Sequence, residues 1–519
     1  MTSKLLLAAS IGVSIPLILS YYLKKKRFRY PNLIDFKEIN EYFNENYEEC
    51  LINWSVKYPN GCTLELGAKD SLLKGYFKQK TDDKIILLNS VDSIKQFSKN
   101  NLISNRPQLF LLDVISHHYL GSFFRMYNDD LINVRKTSLN GLEKLVSSNP
   151  DAESLILDEL ERFFTFIENQ ILPGKQTGVI ENAQIFIQQV IVNIIFRVGL
   201  DIRFDYELTA NTPVKIQIGL MSKLLSALNT FELSKITSLN ASSNLYSKTV
   251  ESLGGIVNSI YSFITGAVVS YKTNSKPTDD IKTIADLLLR KQREEILKRK
   301  SLESCDLYSD DDIIVQVFTV FLAACGSTGF TLSWALHYLS KAPEVVAKII
   351  DEISNTCGKT NFINLSHRSS MLYTEAVINE ILRLSSTKAL IPRATTKETN
   401  INGLHIPANT PVLLNTFGIH HNEQNWKSPY EFKPERWFNE DGTSLKRNQE
   451  TFMPFGIQPR SCIGDKLAKI LLFSILTNII NRYSINYEAI STEKRNNVGI
   501  LGVFRCPYEF NLKLQNRNK

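Results

Sequence analysis

Residues 313–340 form a long segment without a single Asp, Glu, Lys or Arg. A segment of this length and polarity either crosses a lipid bilayer or forms a helix buried on all sides within a large domain. Gln316, His337 and the polar sequence GSTG at 326–329 favour the buried helix. Composition alone leaves both possibilities open. In either case, the position of this segment constrains how the rest of the chain can fold.

The N-terminus carries a second apolar segment. Residues 5–23 contain no charge, and their number is close to the ~20 residues needed to span a bilayer. One basic residue precedes the segment and five follow it within 24–29. This polarity argues against a cleaved signal peptide and places the C-terminal side in the cytosol. We predict a signal-anchor transmembrane helix over 1–23, a basic juxtamembrane linker over 24–45 and a cytosolic domain over 46–519. A cleaved targeting segment is the alternative.

Charge and cysteine content exclude two other classes of protein. The net charge of +7 is concentrated at the N-terminus, because six of the 60 basic residues and no acidic residue lie within 1–29. The remainder is nearly neutral, which argues against binding of nucleic acid. The seven cysteines are scattered and form no CxxC pair, which argues against a disulfide scaffold or a zinc cluster and fits a reducing compartment.

The pattern of apolar residues predicts a mainly α protein with small β-sheets. Residues 279–295 and 342–353 have apolar side chains at helical spacing. Residues 399–417 have short β-prone runs broken by Asn, Gly and Pro, which is typical of small strands and hairpins. Helix predominates along the chain, and we expect the strands to gather near its C-terminal end.

The sequence FGIQPRSCIG at 455–464 carries the strongest chemical signal. A thiolate at Cys462 could bind a metal, and its position at the start of a helix should lower its pKa. Gly464 would let the backbone approach a flat ligand closely. Arg460 suits a carboxylate, and Phe455 could shield the sulfur from water. Together these residues predict a loop that holds an anionic sulfur against a planar, carboxylate-bearing cofactor.

This loop resembles the haem-binding loop of the cytochromes P-450, whose pattern is FxxGxRxCxG. Phe455, Arg460, Cys462 and Gly464 match it, whereas Gln458 stands where the family has its second glycine. The resemblance implies haem b (heme b) with Cys462 as the axial ligand of the iron, and a helical core that encloses the haem beside a minor β-rich region. It also implies that Gln458 is strained or that the turn differs.

Two further motifs resemble the same family. YTEAVINEILRLSS at 373–386 contains Glu380 and Arg383, which match the ExxR motif and lie on one face of a helix. NWKSPYEFKPERWF at 425–438 resembles the WxxPxxFxPERF segment. The resemblance implies that Arg436 joins Glu380 and Arg383 in a buried charge network that supports the haem loop.

Partners for the haem propionates follow from the same resemblance. Arg393 matches the basic residue after the ExxR helix, and Arg460 matches the arginine of the cysteine loop. Arg135 matches the arginine of the WxxxR motif, although Leu131 replaces its tryptophan. We expect these three arginines to bind the propionates.

The uncharged segment also resembles part of the family. FLAACGSTGFTLSWAL at 321–336 is similar to the long helix that crosses the haem, which implies that 313–340 is buried in protein rather than in a membrane. Ser327 and Thr328 then fall at the positions of the catalytic hydroxyls. Gly326 replaces the usual acid, and Ser327 replaces the usual threonine that helps deliver protons to bound oxygen.

The function implied is that of a membrane-anchored haem-thiolate monooxygenase of the endoplasmic reticulum. It would insert one oxygen atom from O2 into a lipophilic small molecule, with electrons from NADPH through a cytochrome reductase and cytochrome b5 as a second partner. Lys466 and Lys469 are candidates for docking the reductase. The missing acid at Gly326 keeps open a haem-thiolate isomerase or dehydratase, and the three departures from the family pattern keep open a haem-binding protein without turnover.

Four histidines need no metal. His117 and His118 lie in the expected pocket wall at 106–125 and lack a third ligand at a useful spacing. His420 and His421 precede the PERW sequence, and we expect a structural role for them. A second part of the pocket is expected around 210–240.

Overall fold

A computed structural model describes most of the chain after the N-terminal segment. The described residues are 33–34, 36–65, 84–106, 121–147, 150–206, 219–220, 244–274, 281–299, 307–358, 360, 362–401, 404–446, 449–490, 499–501 and 504–517. The predicted anchor over 1–23, His117 and His118, and all of the predicted pocket region 210–240 except 219–220 lie outside them.

Helices make up most of the described chain, as predicted. They are α1 (Phe36–Lys57), α2 (Val91–Ser98), α3 (Gly121–Phe124), α4 (Asp129–Ser147), α5 (Pro150–Phe166), α6 (Ala183–Leu200), α7 (Asn244–Asn274), α8 (Ile284–Arg299), α9 (Asp310–Ser340), α10 (Pro343–Cys357), α11 (Leu372–Ser385), α12 (Thr416–His421) and α13 (Asp465–Arg482). Short 3-10 turns occupy Lys99–Asn101, Leu365–Ser370 and Pro434–Trp437, and a π-helical turn, Ile167–Ile171, extends α5. The predicted helices at 279–295 and 342–353 correspond to α8 and α10.

The uncharged segment forms most of α9, which lies at the centre of the fold. Its N-terminus is capped by the Ser309 side chain, which accepts a hydrogen bond from the Asp312 N–H, and a π-helical turn, Ala324–Thr328, interrupts it. Of the described helices, α6 and α9 are long and apolar enough to cross a membrane, but 78% of the apolar window of each is buried inside the protein. The helix is therefore a core helix, as the sequence motifs implied.

The largest core surrounds this helix. Ile191 of α6, Phe318 of α9 and Leu471 of α13 are fully buried members of one hydrophobic cluster. Burial of large apolar side chains is the main favourable contribution to folding. Packing of α6 and α13 against α9 therefore holds α13, which follows the cysteine loop directly, against the middle of α9.

The strands are β1 (Leu33–Ile34), β2 (Cys62–Glu65), β3 (Lys84–Leu88), β4 (Thr177–Ile180), β5 (Leu390–Ala394), β6 (Thr399–Ile401), β7 (Leu404–Ile406), β8 (Pro411–Asn415), β9 (Tyr483–Ala489) and β10 (Phe510–Asn516). They form a five-stranded sheet in the order β1-β2-β3-β8-β5, a three-stranded sheet in the order β4-β10-β9, and the hairpin β6-β7. Four strands precede residue 181, so the expectation that strands gather late is wrong. The missed strands are short, and β3 and β4 pair with the distant strands β8 and β10.

The five-stranded sheet carries one predicted site residue. Parallel β3 and β8 pair with Ile86 beside Val412, and antiparallel β5 places Arg393 beside Val412 on the other side. Helix α11 ends at Ser385 in front of Ser386, which has a left-handed backbone with φ +37°. This short connection from α11 to β5 fixes the position of Arg393 relative to Glu380 and Arg383.

Candidate active site

Cys462 lies in a loop that runs directly into α13. Its N–H donates to the Phe455 carbonyl at 2.8 Å, and the Gly464 N–H donates to its Sγ at 3.3 Å. The side chain is exposed, yet burial raises the pKa of its thiol and outweighs the lowering by the Gly464 N–H and the Arg135 charge. The sulfur is therefore accessible, yet it is surrounded by enough protein to be desolvated. The expectation of a lowered pKa is wrong for the polypeptide alone, because desolvation exceeds the effect of the helix terminus.

The turn before Cys462 accommodates Gln458 without a left-handed residue at that position. Gly456 has the positive φ instead, at +70°. A Cβ atom on Gly456 would lie 3.5 Å from Ile391 Cδ1 and 3.7 Å from an Arg393 terminal nitrogen. The loop therefore packs closely against β5, and the left-handed turn of this chain lies two residues before Gln458.

The three residues of the predicted charge network lie together. Arg383 donates two hydrogen bonds to the Glu380 carboxylate, at 2.9 and 2.8 Å, and Arg436 donates a third at 2.9 Å. Glu380 and Arg383 are fully buried. The remaining Arg383 nitrogen donates to the backbone carbonyls of His420 and Pro429. Charges in such a site are tolerable only because each is paired and hydrogen-bonded.

Trp437 is a member of this network that the sequence analysis missed. Its indole N–H donates to the second Glu380 oxygen at 3.0 Å, and the side chain is buried. The available signal was the tryptophan in PERWF, where the family pattern has phenylalanine. The substitution adds a hydrogen-bond donor at a position that is apolar in the pattern.

His420 connects this network to the cysteine loop, consistent with its expected structural role. Its Nε2 accepts a hydrogen bond from the Met453 N–H at 3.1 Å, so the neutral ring must carry its proton on Nδ1. That Nδ1 lies 2.8 Å from the Ser386 hydroxyl, which donates in turn to the Arg383 carbonyl. Burial, with the Arg383 charge, lowers the pKa of His420 to about 3.

We expect the stability of the protein to fall as the pH drops below about 6.5, the ordinary pKa of histidine. In that range the unfolded chain binds a proton at His420 that the folded chain rejects, so the contribution of His420 to stability is complete above pH 6.5 and decreases towards pH 3. Burial of His337 and His421 acts in the same direction. Unfolding by urea at pH 7 and pH 5 measures the loss. His420→Gln should be less stable at pH 7 but lose less on acidification, and an equal loss in both proteins would contradict this account.

Four buried guanidinium groups converge beside Cys462. Arg393 donates to the Arg460 carbonyl, Arg460 to the Ser104 carbonyl, and Arg135 to the Ser461 carbonyl. Arg106, a residue that the sequence analysis assigned only to the pocket wall, donates to the carbonyls of Phe123 and Pro392. Within the described part of the chain, no carboxylate forms a salt bridge with any of the four.

The pKa values of these groups reflect the cost of this arrangement. Burial first, and repulsion from neighbouring arginines second, lowers the pKa of Arg106 to about 9 and that of Arg460 to about 8. The same causes hold the pKa of Arg393 well below its usual range. Buried cations that lack acidic partners need an anion. The donor set therefore fits a ligand that carries carboxylate groups, as haem does. Arg106 extends the set of arginines that was predicted from the sequence.

Helix α9 presents an apolar face with one hydroxyl. Val320, Ala323, Ala324 and Ser327 are half-buried at helical spacing, whereas the intervening Cys325, Gly326 and Thr328 are buried. The Ser327 hydroxyl donates to the Ala323 carbonyl at 2.7 Å. This arrangement separates the two predicted hydroxyls, because only Ser327 lies on the accessible face.

The next site residue predicted from the sequence is the arginine of the WxxxR-like sequence on α4. Leu131, which replaces a tryptophan of the family pattern, is fully buried, and Arg135 lies one turn later on the same helix with its side chain directed to the cysteine loop. Leucine preserves the packing at this position but supplies no indole N–H.

These features fit a haem-thiolate class of protein: an accessible but desolvated sulfur, four buried arginines beside it and a half-buried apolar face on α9. The family model for cytochrome P450 matches residues 79–514. The chain therefore belongs to the cytochrome P450 family, whose members hold haem through a cysteine thiolate bound to the iron.

Curated relatives agree with this membership. Cytochrome P450 2U1 of Mus musculus is 26% identical over 441 residues, covering 83% of this chain and 79% of the relative. Steroid 17-alpha-hydroxylase/17,20 lyase of Papio cynocephalus is 26% identical over 432 residues, covering 83% and 80%. The Homo sapiens protein of that name is 31% identical over 240 residues, covering 46% and 47%.

These similarities make the chain an oxidoreductase of the P450 monooxygenase type. They favour this activity over the isomerase or dehydratase and over the haem-binding protein without turnover.

Proposed function

We propose that this chain is a membrane-anchored monooxygenase that inserts one atom of O2 into a lipophilic small molecule. The anchor would be the helix over 1–23, joined by the basic linker over 24–45 to a catalytic domain over 46–519. NADPH would supply electrons through a cytochrome reductase, with cytochrome b5 as a second donor. The observation that carries the proposal is the accessible Cys462 sulfur beside buried arginines that have no acidic partner among the described residues.

Bound haem supplies the oxygen activation and the oxidation itself. In this proposal Cys462 is the iron ligand, and the Gly464 N–H tempers the donor strength of its sulfur through the 3.3 Å contact. Phe455 shields the sulfur, and its carbonyl fixes the Cys462 backbone. Arg135, Arg393 and Arg460, together with Arg106, hold the propionates. The charge network of Glu380, Arg383 and Arg436 supports the cysteine loop.

Ser327 is the residue proposed to hold and move a proton above the haem. Its hydroxyl donates to the Ala323 carbonyl, and its oxygen can still accept a hydrogen bond from water on the accessible face of α9. Thr328, one residue later and buried, supplies a second hydroxyl on the far side of the helix. Gly326 offers no acid, so a water chain that ends on Ser327 would deliver protons.

We expect Ser327→Ala to lower the product formed per NADPH consumed by about a hundredfold, the low end of the effect of losing a positioned proton donor. Hydrogen peroxide should appear in place of product, and Ser327→Thr should restore coupling. Ser333→Ala is the matched control, since Ser333 makes the same type of hydrogen bond to the Gly329 carbonyl but is fully buried. Unchanged coupling in Ser327→Ala would remove Ser327 from the proton path.

The apolar, half-buried face of α9, which carries one hydroxyl and no charge, supports a lipophilic substrate class. A related protein is named as a steroid hydroxylase, which supports a lipophilic substrate here as well. Purified protein with reductase, NADPH and a panel that includes steroids should form hydroxylated products only when all components are present. Products formed from organic peroxides without reductase, and none with NADPH, would overturn the proposal.

The surface for the reductase is proposed near the start of α13. Lys466 forms an ion pair with Glu143, and the Lys469 ammonium lies 5.3 Å from the centre of the Phe455 ring. Because Glu143 already neutralises Lys466, Lys469 is the better candidate for contact with an acidic partner. The anchor and this docking surface together fit the cytosolic face of the endoplasmic reticulum.

A further inference from the structure

Asp312 is a buried carboxylate in the first turn of α9 that the proposed mechanism does not use. Its neighbours Asp310 and Asp311 are exposed, as acids at helix N-termini usually are, but Asp312 has no exposed surface. Removing a carboxylate from water is costly unless hydrogen bonds replace its hydration. Hydrogen-bond donors of the protein must therefore take the place of water around the Asp312 carboxylate.

Four donors satisfy this carboxylate: two from the segment 121–125, one from the residues before α9 and one from α9 itself. One oxygen accepts from the Gly121 N–H at 2.8 Å and from the Arg125 guanidinium at 3.0 Å. The other accepts from the Tyr308 N–H at 3.1 Å and from the Gln316 amide at 3.3 Å. Asp312 thereby fastens both ends of the segment 121–125 to the central helix.

The segment 121–125 lies close against α9. Gly121 has φ +74°, and a Cβ atom there would lie 3.1 Å from Val315 Cγ1. The Arg125 side chain is only 12% exposed. Two hydrogen bonds donated to one carboxylate, one from each end of the segment, therefore determine where the backbone between them lies.

The carbonyls of this backbone hold two of the four converging arginines. Arg106 donates to the Phe123 carbonyl at 3.2 Å, and its guanidinium lies 4.3 Å from the Phe123 ring centre. Arg460 donates to the carbonyls of Phe123 and Arg125. The path from Asp312 to each guanidinium is thus one hydrogen bond or ion pair, a short length of backbone and one further hydrogen bond.

We propose that Asp312 is a positioning residue that fixes Arg106 and Arg460 for the carboxylate groups of the cofactor. The inference rests on the proposed function, in which these arginines bind the haem propionates. Without the Asp312 charge, segment 121–125 loses its attachment to α9 and the two guanidinium groups lose the carbonyls that orient them. The haem then dissociates faster, and less positive charge near the propionates lowers its reduction potential.

The test compares Asp312→Asn with Asp311→Asn in purified holoprotein. Both variants remove one negative charge from the same helix terminus, so the helix dipole is affected alike, but only Asp312 contacts segment 121–125. Transfer of haem to excess apomyoglobin should be on the order of tenfold faster in Asp312→Asn, the equivalent of about 1.4 kcal/mol for a lost buried hydrogen-bonded charge. Asp311→Asn should match the wild type in transfer rate and reduction potential.

Arg125→Gln provides a second variant if Asp312→Asn does not fold. It breaks one of the two attachments at a partly exposed side chain and should accelerate haem transfer to a smaller extent. Transfer as slow as in Asp311→Asn, or faster transfer with an unchanged reduction potential, would overturn the role of Asp312. A wild type without a thiolate-type carbon monoxide spectrum would instead overturn the proposed function itself.

Discussion

Replacement of Cys462 by serine should abolish the red-shifted Soret band of the reduced carbon monoxide complex and reduce turnover to background. A serine hydroxyl is not deprotonated at neutral pH and cannot replace a thiolate as the electron donor to iron. The Gly464 N–H, which donates to sulfur at 3.3 Å, would face an oxygen that already carries its own proton. The reduced carbon monoxide difference spectrum of purified protein measures the loss directly.

Cys357→Ser is the matched control for this substitution. Cys357 is also a free cysteine, and it lies half-buried at the end of α10, away from the cysteine loop. Its variant should keep the thiolate spectrum and the activity of the wild type. A Cys462→Ser protein that retained its colour and spectrum unchanged would show that another side chain binds the iron.

The parts of the site that were predicted from the sequence alone are those whose residues lie close together in short, contiguous motifs. The spacing of Glu380 and Arg383 on one helix dictates that both side chains lie on the same face, whatever the rest of the chain does. The cysteine loop is equally local, since Arg460, Cys462 and Gly464 lie within five residues and run directly into α13. Local geometry of this kind needs no knowledge of tertiary structure.

The parts that were missed depend on contacts between distant segments. Arg106 joins the other arginines through the Pro392 carbonyl, almost three hundred residues further along the chain. β3 is a central strand only because β8 pairs with it. The sign of the Cys462 pKa shift likewise reflects how much protein surrounds the sulfur, which no local pattern reports. Burial and long-range pairing are properties of the whole fold.

The ambiguity of the uncharged segment was resolved by the same kind of information. Composition could not separate a membrane span from a core helix, because both exclude charge from their surroundings. Gln316, His337 and the GSTG sequence gave the first indication, and the resemblance of 321–336 to the long helix of the family gave the second. The contacts of α9 with α6 and α13 then account for its apolar composition, since little of its surface faces water.

Replacement of Glu380 by glutamine should destabilise the protein by about 3–5 kcal/mol, the usual cost of removing one partner from a buried ion pair. The change leaves the Arg383 and Arg436 guanidinium groups facing a neutral amide, with Arg383 fully buried. Trp437 would also lose a charged acceptor for its indole N–H. Because a typical domain is stable by only about 5–15 kcal/mol, much of the protein should fail to fold or to retain haem. Yield of holoprotein and urea unfolding report the two losses.

Glu375→Gln is the matched control, because Glu375 lies on the same helix and pairs with Arg368 at 2.6 Å in a partly exposed site. Solvent screens that pair, so the substitution should cost about 0–1 kcal/mol and leave the haem spectrum unchanged. Equal destabilisation by the two substitutions would mean that burial of Glu380 adds nothing to its importance. A Glu380→Gln protein with wild-type stability would show that the arginines are held by the carbonyls of His420, Pro429 and their neighbours without the carboxylate.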